Sequence, residues 1–399
     1  LKPAFLIKSG WQDVNIGDIG HSPGLFALLE RHAPGVHLIF WPYDDSPDVN
    51  ALMMRRFPNI EIVHGSVGAD GSMDKPLASA FHRADLLIHG SGPSVVARQA
   101  VNDWRRITGK PYGIYGVTVS AISGELKDIL DHAAFIFTRE TLSLHMLHNA
   151  GVRCPVMDFA PDACVAVDVR DDRKALEWMQ RAGLVEGRFI CVIPRNRMTP
   201  YHWSKKSVNW PQQHIREVED MNHRHREEDL SKLREAITIW VRKTGIAVLL
   251  CPEMADALSI LGPHVYAPLP DDVRPHMVLR DHWWLTDEAA SIYARAFAVL
   301  SMDCHSPLIA YPNGTPTVYV RQPQDAQKAH MYNDFGMEAW LMPVEDVDGK
   351  AIADRLLTIH ADPQGAKQYL AAGITRIAHL HADTLKRALS AVFDPPRLT

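Results

Sequence analysis

The stretch Asp85-Leu86-Leu87-Ile88-His89-Gly90-Ser91-Gly92-Pro93-Ser94 carries the fold in miniature. Its apolar run is too short for a helix and reads as a strand covered on both faces, as in a parallel sheet. Two glycines then let backbone approach backbone or a ligand, and Pro93-Ser94 suits the start of a helix, expected over 94–107. Outward in both directions the same unit recurs. Strands are expected at 4–7, 36–41, 60–63, 112–119 and 134–138, with helical spacing at 25–31, 47–57 and 141–150. A polar stretch, Asp168-Val169-Arg170-Asp171-Asp172-Arg173, and an amphipathic segment at 174–182 interrupt the series. It then resumes with strands at 189–193, 246–251, 298–302 and 317–320 and helices at 230–243, 287–297 and 351–359.

Repeated strand–helix units give an α/β fold class: two doubly wound, Rossmann-like domains, residues 1–168 and 169–399. Such domains bind ligands outside the carboxyl ends of their strands, which places a cleft between them. The helical tail at 363–393 is expected to pack back across the junction. The charged segment 216–228, with His223-Arg224-His225-Arg226, reads as an exposed insertion.

Composition narrows the function classes. Hydrophobic residues make up 46% and charged residues 22%, so the chain is an ordinary globular one rather than a disordered or fibrous one. No apolar run approaches 18 residues, so no membrane span is expected. A net charge of −5 argues against a general nucleic-acid footprint. Five cysteines, an odd number with no Cys-x-x-Cys pair, point to a reduced, zinc-free protein. Ligand-like histidine pairs occur at His145/His148, His223/His225 and His379/His381, but no third and fourth ligands accompany them, and no metal is expected. The chain begins at Leu1 rather than Met, so an upstream segment is expected to have been removed. A cytoplasmic location is expected, or export if that segment was a signal peptide.

Chemistry-bearing residues gather at strand ends. Asn15-Ile16-Gly17-Asp18-Ile19-Gly20 follows the first strand, with Ser22-Pro23-Gly24 before the helix expected at 25–31. Such a glycine-rich turn either offers backbone N–H groups to an anion or is an ordinary turn. Neither it nor His89-Gly90-Ser91-Gly92 is Gly-x-Gly-x-x-Gly, and there is no phosphate-binding Gly-x-x-x-x-Gly-Lys-Ser/Thr. Thr138-Arg139-Glu140 brings a cation to a strand end, where it either grips a phosphate or carboxylate bidentately or pairs with Glu140 or another neighbour. Pro194-Arg195-Asn196-Arg197, Val320-Arg321 and Lys328 add cations in the second half, and together they make a cleft suited to a small polyanion. In Ser301-Met302-Asp303-Cys304-His305-Ser306-Pro307 an imidazole stands just before a helix start, a position that favours its neutral form beside an anion. Trp203, Trp210, Trp283, Trp284 and Trp340 are expected in the core or at an interface, with one or two stacking on sugar.

These motifs, with Pro161-Asp162-Ala163 and Gly314-Thr315-Pro316, occur in the order found in the polysaccharide pyruvyl transferase family, which the chain resembles over about residues 4 to 336 as a divergent subgroup. The resemblance implies a two-domain GT-B-type protein that moves the enolpyruvyl group of phosphoenolpyruvate onto a sugar as a cyclic ketal. It needs a carbohydrate acceptor, a small anionic donor and no cofactor. It puts His305 at the essential histidine, Arg139 at the Arg of Arg-Glu and Lys328 near the late lysine. Asp303 is the expected partner of His305, and Arg195, Arg321, Asn15, Asp18, His89 and Ser91 complete the substrate-binding set. One departure stands out: the family commonly has Arg-Leu-His where this chain has Asp303-Cys304-His305. Either Arg195, Arg197 or Arg321 replaces the lost cation, or the ligand has changed. The rival readings are a GT-B nucleotide-sugar glycosyltransferase, and an exported carbohydrate-active hydrolase, lyase or sugar-binding protein. A homo-oligomer is compatible with the sequence.

Overall fold

The computed structural model describes residues 2–205 and 208–394. The first sheet has seven parallel strands: β1 (Ala4–Ser9), β2 (His37–Pro42), β3 (Glu61–Ile62), β4 (Leu86–His89), β5 (Tyr112–Val117), β6 (Phe135–Thr138) and β7 (Met157–Phe159), in the order β3-β2-β1-β4-β5-β6-β7. The second has six: β8 (Phe189–Ile193), β9 (Ala247–Leu250), β10 (Met277–Leu279), β11 (Ala298–Ser301), β12 (Thr317–Arg321) and β13 (Leu341–Pro343), in the order β10-β9-β8-β11-β12-β13. Both are doubly wound, and both reverse strand order beside their first strand, where a crevice forms. The boundary expected at 168 falls between β7 and β8. Central strands are buried along their whole length, which is why they read as continuous apolar runs.

Five helices position the cleft: α1 (Ile16–His32), α2 (Gln212–Thr244), α3 (His305–Ala310), α4 (Ala326–Ala329) and α5 (Pro363–Phe393). Two differ from the sequence expectation. Helix α1 starts at Ile16, nine residues before the expected 25, because Asn15 caps it: Oδ1 accepts from Gly17 N at 2.6 Å and Asp18 N at 3.2 Å. Three glycines and Pro23 make α1 a poor helix in isolation, yet every residue from Ile16 to Leu29 is buried, so packing holds it. Its glycines serve close approach. A Cβ on Gly17 would overlap His305, and one on Gly24 would overlap the backbone of Ala163. The segment 216–228 is mostly exposed, as expected, but it is a continuous part of the 33-residue α2, with Val218 and Asn222 buried and Asn222 bonded both ways to Met198.

The domains are joined by backbone as well as side chains. Ile16 N–H donates to Glu253 O at 3.0 Å and Ala255 N–H to Val14 O at 2.9 Å, an antiparallel bridge between the first domain and the loop after β9. Helix α5 returns to the first domain: Phe393 stacks on Phe5, Arg387 pairs with Asp158, and His381 meets the Tyr115 hydroxyl at 3.0 Å. No helix among the described residues is long and apolar enough to cross a membrane.

Candidate active site

An open cleft lies where the carboxyl ends of the two sheets face each other. The first domain lines it with Trp11, Asn15, Asp18 and Arg139, and the second with Arg195, Arg197, Asp303, His305 and Lys328. These include seven of the ten residues singled out from sequence, drawn from positions more than 300 apart in the chain. Arg321 is not among them; it ends β12 and points to Glu345 at 3.8 Å. His89 and Ser91 are buried in an adjoining crevice with Lys8 and Tyr43, and Trp11 lines both this crevice and the cleft.

None of the cleft cations stands alone. Arg139, 2% exposed, bonds to Asp162 at 2.9 Å and to Thr118 Oγ1 at 2.8 Å rather than to Glu140. Arg197 grips Asp229 through two bonds of 2.8 Å. Arg195 pairs with Asp325 and lies 3.6 Å from Asp303, while Lys328 sits 3.2 Å from the same Asp325. Burial opposes ionisation of Asp325, but Arg195 and Lys328 outweigh it and hold its carboxyl far below the ordinary range. Of the three cations that sequence offered to offset Asp303, Arg195 is the one beside it.

His305 opens α3, and its partner is not the expected Asp303. Glu253, at the end of β9, takes the helix N-terminus: its oxygens accept the N–H groups of His305 at 3.2 Å and Ser306 at 2.5 Å. The same carboxylate meets His305 Nδ1 at 3.1 Å. Asp303 instead accepts the Cys304 N–H at 3.0 Å and faces Arg195. Across the domain junction, His305 Nε2 lies 3.2 Å from His21 Nε2. Burial, then His21, push the His305 imidazole down to about 3, so it is neutral. Burial, against the pull of Arg195 and with the push of Glu253, raises the Asp303 carboxyl to about 7. One group in the site is thus a neutral base, and its neighbour is a carboxylic acid that keeps its proton well above the ordinary carboxyl range.

Glu253 and His21 were not found from sequence. Glu253 had a signal, an acidic residue three places past the end of the buried strand β9. His21 had none, because the stretch around it did not read as helix. Glu253, Asp303, Cys304 and His305 bring ligand atoms within 4.8 Å of one another, as do Asp18, His21 and His305. They fit a metal poorly. Both Glu253 oxygens are engaged by backbone donors, burial pushes the Cys304 thiol well up, and Asp18 accepts from Trp11 and Gln12.

Across the domain junction the cleft has an aromatic wall, with Trp11 from the first domain and Tyr201 and Trp210 from the second. Trp11 meets Tyr201 edge-on with ring centroids 5.8 Å apart, and Tyr201 meets Trp210 at 6.0 Å.

The polysaccharide pyruvyl transferase family model matches residues 15–322, most of the chain and both walls of this cleft. The chain belongs to that family. The pyruvyl transferase-family protein is accordingly a transferase of the polysaccharide-modifying kind. Among solved structures it is similar to a protein of Listeria monocytogenes assigned as a UDP-N-acetylglucosamine 2-epimerase, with a TM-score of 0.59 at 11% identity, covering 100% of this chain and 99% of that one. It is also similar to Anabaena HepE in complex with UDP and glucose (0.56, 12%, 98% and 100%), and to ADP-heptose heptosyltransferase II of E. coli (0.50, 12%, 90% and 98%). These likenesses show the GT-B fold alone. A sequence comparison with curated proteins gives no match.

Proposed function

We propose that the protein transfers the enolpyruvyl group of phosphoenolpyruvate to a sugar of a glycan and closes it as a cyclic ketal. The observation that carries this reading is the convergence, in one interdomain cleft, of Arg139, Arg195 and Lys328 with a neutral His305 and a protonatable Asp303. The cations hold the donor's phosphate and carboxylate. Asp303 gives a proton to the donor's methylene carbon, and a sugar hydroxyl adds to the adjacent carbon as its own proton passes to His305 Nε2. Phosphate then leaves with the electrons of its C–O bond and takes the proton from His305, and a second hydroxyl adds to the same carbon to close the ketal and gives its proton to the Asp303 carboxylate, which restores the acid. The acceptor sugar lies against Trp11, Tyr201 and Trp210, whose faces suit the apolar face of a pyranose. No step calls for a metal or an organic cofactor.

The test is phosphate release from phosphoenolpyruvate with and without a panel of glycan acceptors. Acceptor-dependent release is expected. Acceptor-independent release would point to a hydrolase in which water replaces the hydroxyl, and no consumption of phosphoenolpyruvate would defeat the assignment.

A further inference from the structure

His21 is fully buried in α1, and its role is not accounted for by packing alone. Its Nε2 has two acceptors within reach, His305 Nε2 at 3.2 Å and Asp162 Oδ2 at 3.3 Å. Its Nδ1 is buried without a hydrogen-bond partner, 3.7 Å from Asp18 Oδ1. Burial pushes the Glu253 carboxyl up, but the two backbone N–H bonds that it accepts favour its ionised form, and its oxygen is nearer to His305 Nδ1 (3.1 Å) than Cys304 Sγ is (3.4 Å), so His305 Nδ1 carries the proton shared with Glu253. A neutral His305 then has a bare Nε2, and the hydrogen in the contact between the two rings belongs to His21.

We propose that His21 is a positioning residue that sets the tautomer of His305 from across the domain junction and, when substrate binds, turns its Nε2–H from His305 to Asp162 so that His305 Nε2 meets the sugar hydroxyl. This rests on the transferase reading above. The proton step balances: the hydroxyl O–H bond breaks, an N–H bond forms on His305 Nε2, and the resulting imidazolium faces the Glu253 carboxylate. His21 keeps its own proton throughout and exchanges one acceptor for the other. The groups facing the two rings are Asp18 and Gln12 from the α1 entrance, Asp162 after β7, Arg139 after β6, Glu253 after β9, Cys304 beside α3, and Lys328 on α4.

Two variants test it. His21→Leu is expected to lower kcat on the order of 10–100-fold, with KM for phosphoenolpyruvate changed less than about twofold, as for other residues that orient a reacting imidazole. It is also expected to move the acid limb of the pH–rate profile to higher pH, because a neighbour that disfavours the charged ring is gone. His21→Gln, which keeps one N–H donor and guards against a folding failure of the Leu variant, is expected to recover part of kcat. Nitrogen-15 NMR of labelled histidine in the resting protein needs no substrate. It is expected to show His305 protonated at Nδ1 in the wild type, with that preference weakened in His21→Leu. If phosphoenolpyruvate is not consumed at all, the transferase reading fails and the NMR result alone decides this one. The proposal is overturned by an unaltered kcat and pH limb with only a lower Tm, by a His305 proton on Nε2, or by a stoichiometric divalent ion held between the rings.

Discussion

Both sheets wind the same way, yet the carboxyl ends of their strands carry different chemistry. At the second domain's end, Arg195, Lys328, Asp303 and Asp325 form a dense set of paired ions. At the first domain's end Arg139 pairs with Asp162 and Asp44 takes Lys205 from the second domain, while polar atoms are left uncommitted: His89 Nδ1, Ser91 Oγ and Gln12 Oε1 are buried without hydrogen-bond partners. Burial pushes the His89 imidazole down to about 4 and the Lys8 amine, against the pull of Asp44, down to about 7, so this crevice holds a neutral ring beside a weakened cation. Paired ions select charge, whereas neutral donors and acceptors beside aromatic faces select hydroxyl patterns. On the transferase reading proposed above, the anionic donor goes with the second domain's cations and Arg139, the sugar goes with the first domain's neutral groups, and that division can be broken residue by residue.

The largest effect is expected at Asp303. Asp303→Asn removes the acid and should lower kcat by about 10²–10⁴-fold without loss of fold. Wild-type activity should fall as pH rises through about 7, and the variant should lack that limb. Stability follows the same sign. A carboxyl raised in the folded state binds more protons there than in the unfolded chain, so its contribution is present below the ordinary range near 4 and is lost as pH rises toward 7. The Tm of the wild type should therefore drop across that window more than that of Asp303→Asn.

Gly17→Ala comes next. Its Cβ would meet the His305 ring, which must shift or force α1 outward, and activity should fall about 10²-fold. A stability loss of about 1–3 kcal/mol, read by denaturant titration, should accompany it. Arg195→Met should raise KM for the donor about tenfold or more and leave KM for the acceptor unchanged; the reverse pattern would exchange the roles of the two domains. Ser91→Ala should change only the acceptor KM, by a few-fold. Arg321→Ala, on the far side of β12, should change neither constant by more than twofold; a donor KM effect there would mean that the charged set extends beyond the cleft.

The cores of both domains were legible because their strands are buried on both faces, as Phe189-Ile190-Cys191-Val192-Ile193 illustrates. The strands that escaped notice, β7, β10 and β13, have three residues each, too few to show a period. The glycines of α1 pointed to a loop because their local meaning is flexibility; only the partner, His305, 288 positions on from Gly17, reveals that they make room. In the site, the types of residue were readable and their pairings were not. Whether His305 meets Asp303 or Glu253 depends on which carboxylate the fold delivers to the start of α3, and a single sequence does not encode that distance.

Helix α5 has a consequence for how the chain comes to be folded. His381 bonds to Tyr115 from 266 residues further along, and Arg387 reaches Asp158 from 229 residues further along. During synthesis the first domain emerges with that flank bare, and it stays bare while the whole second domain is made, tens of seconds at ordinary elongation rates of roughly 5–20 residues per second. Its last covering arrives only with α5. The domain translated first is therefore among the last to be finished, and the transient exposure of Phe5 and Tyr115 marks the interval in which a chaperone, or a second nascent chain, would find it.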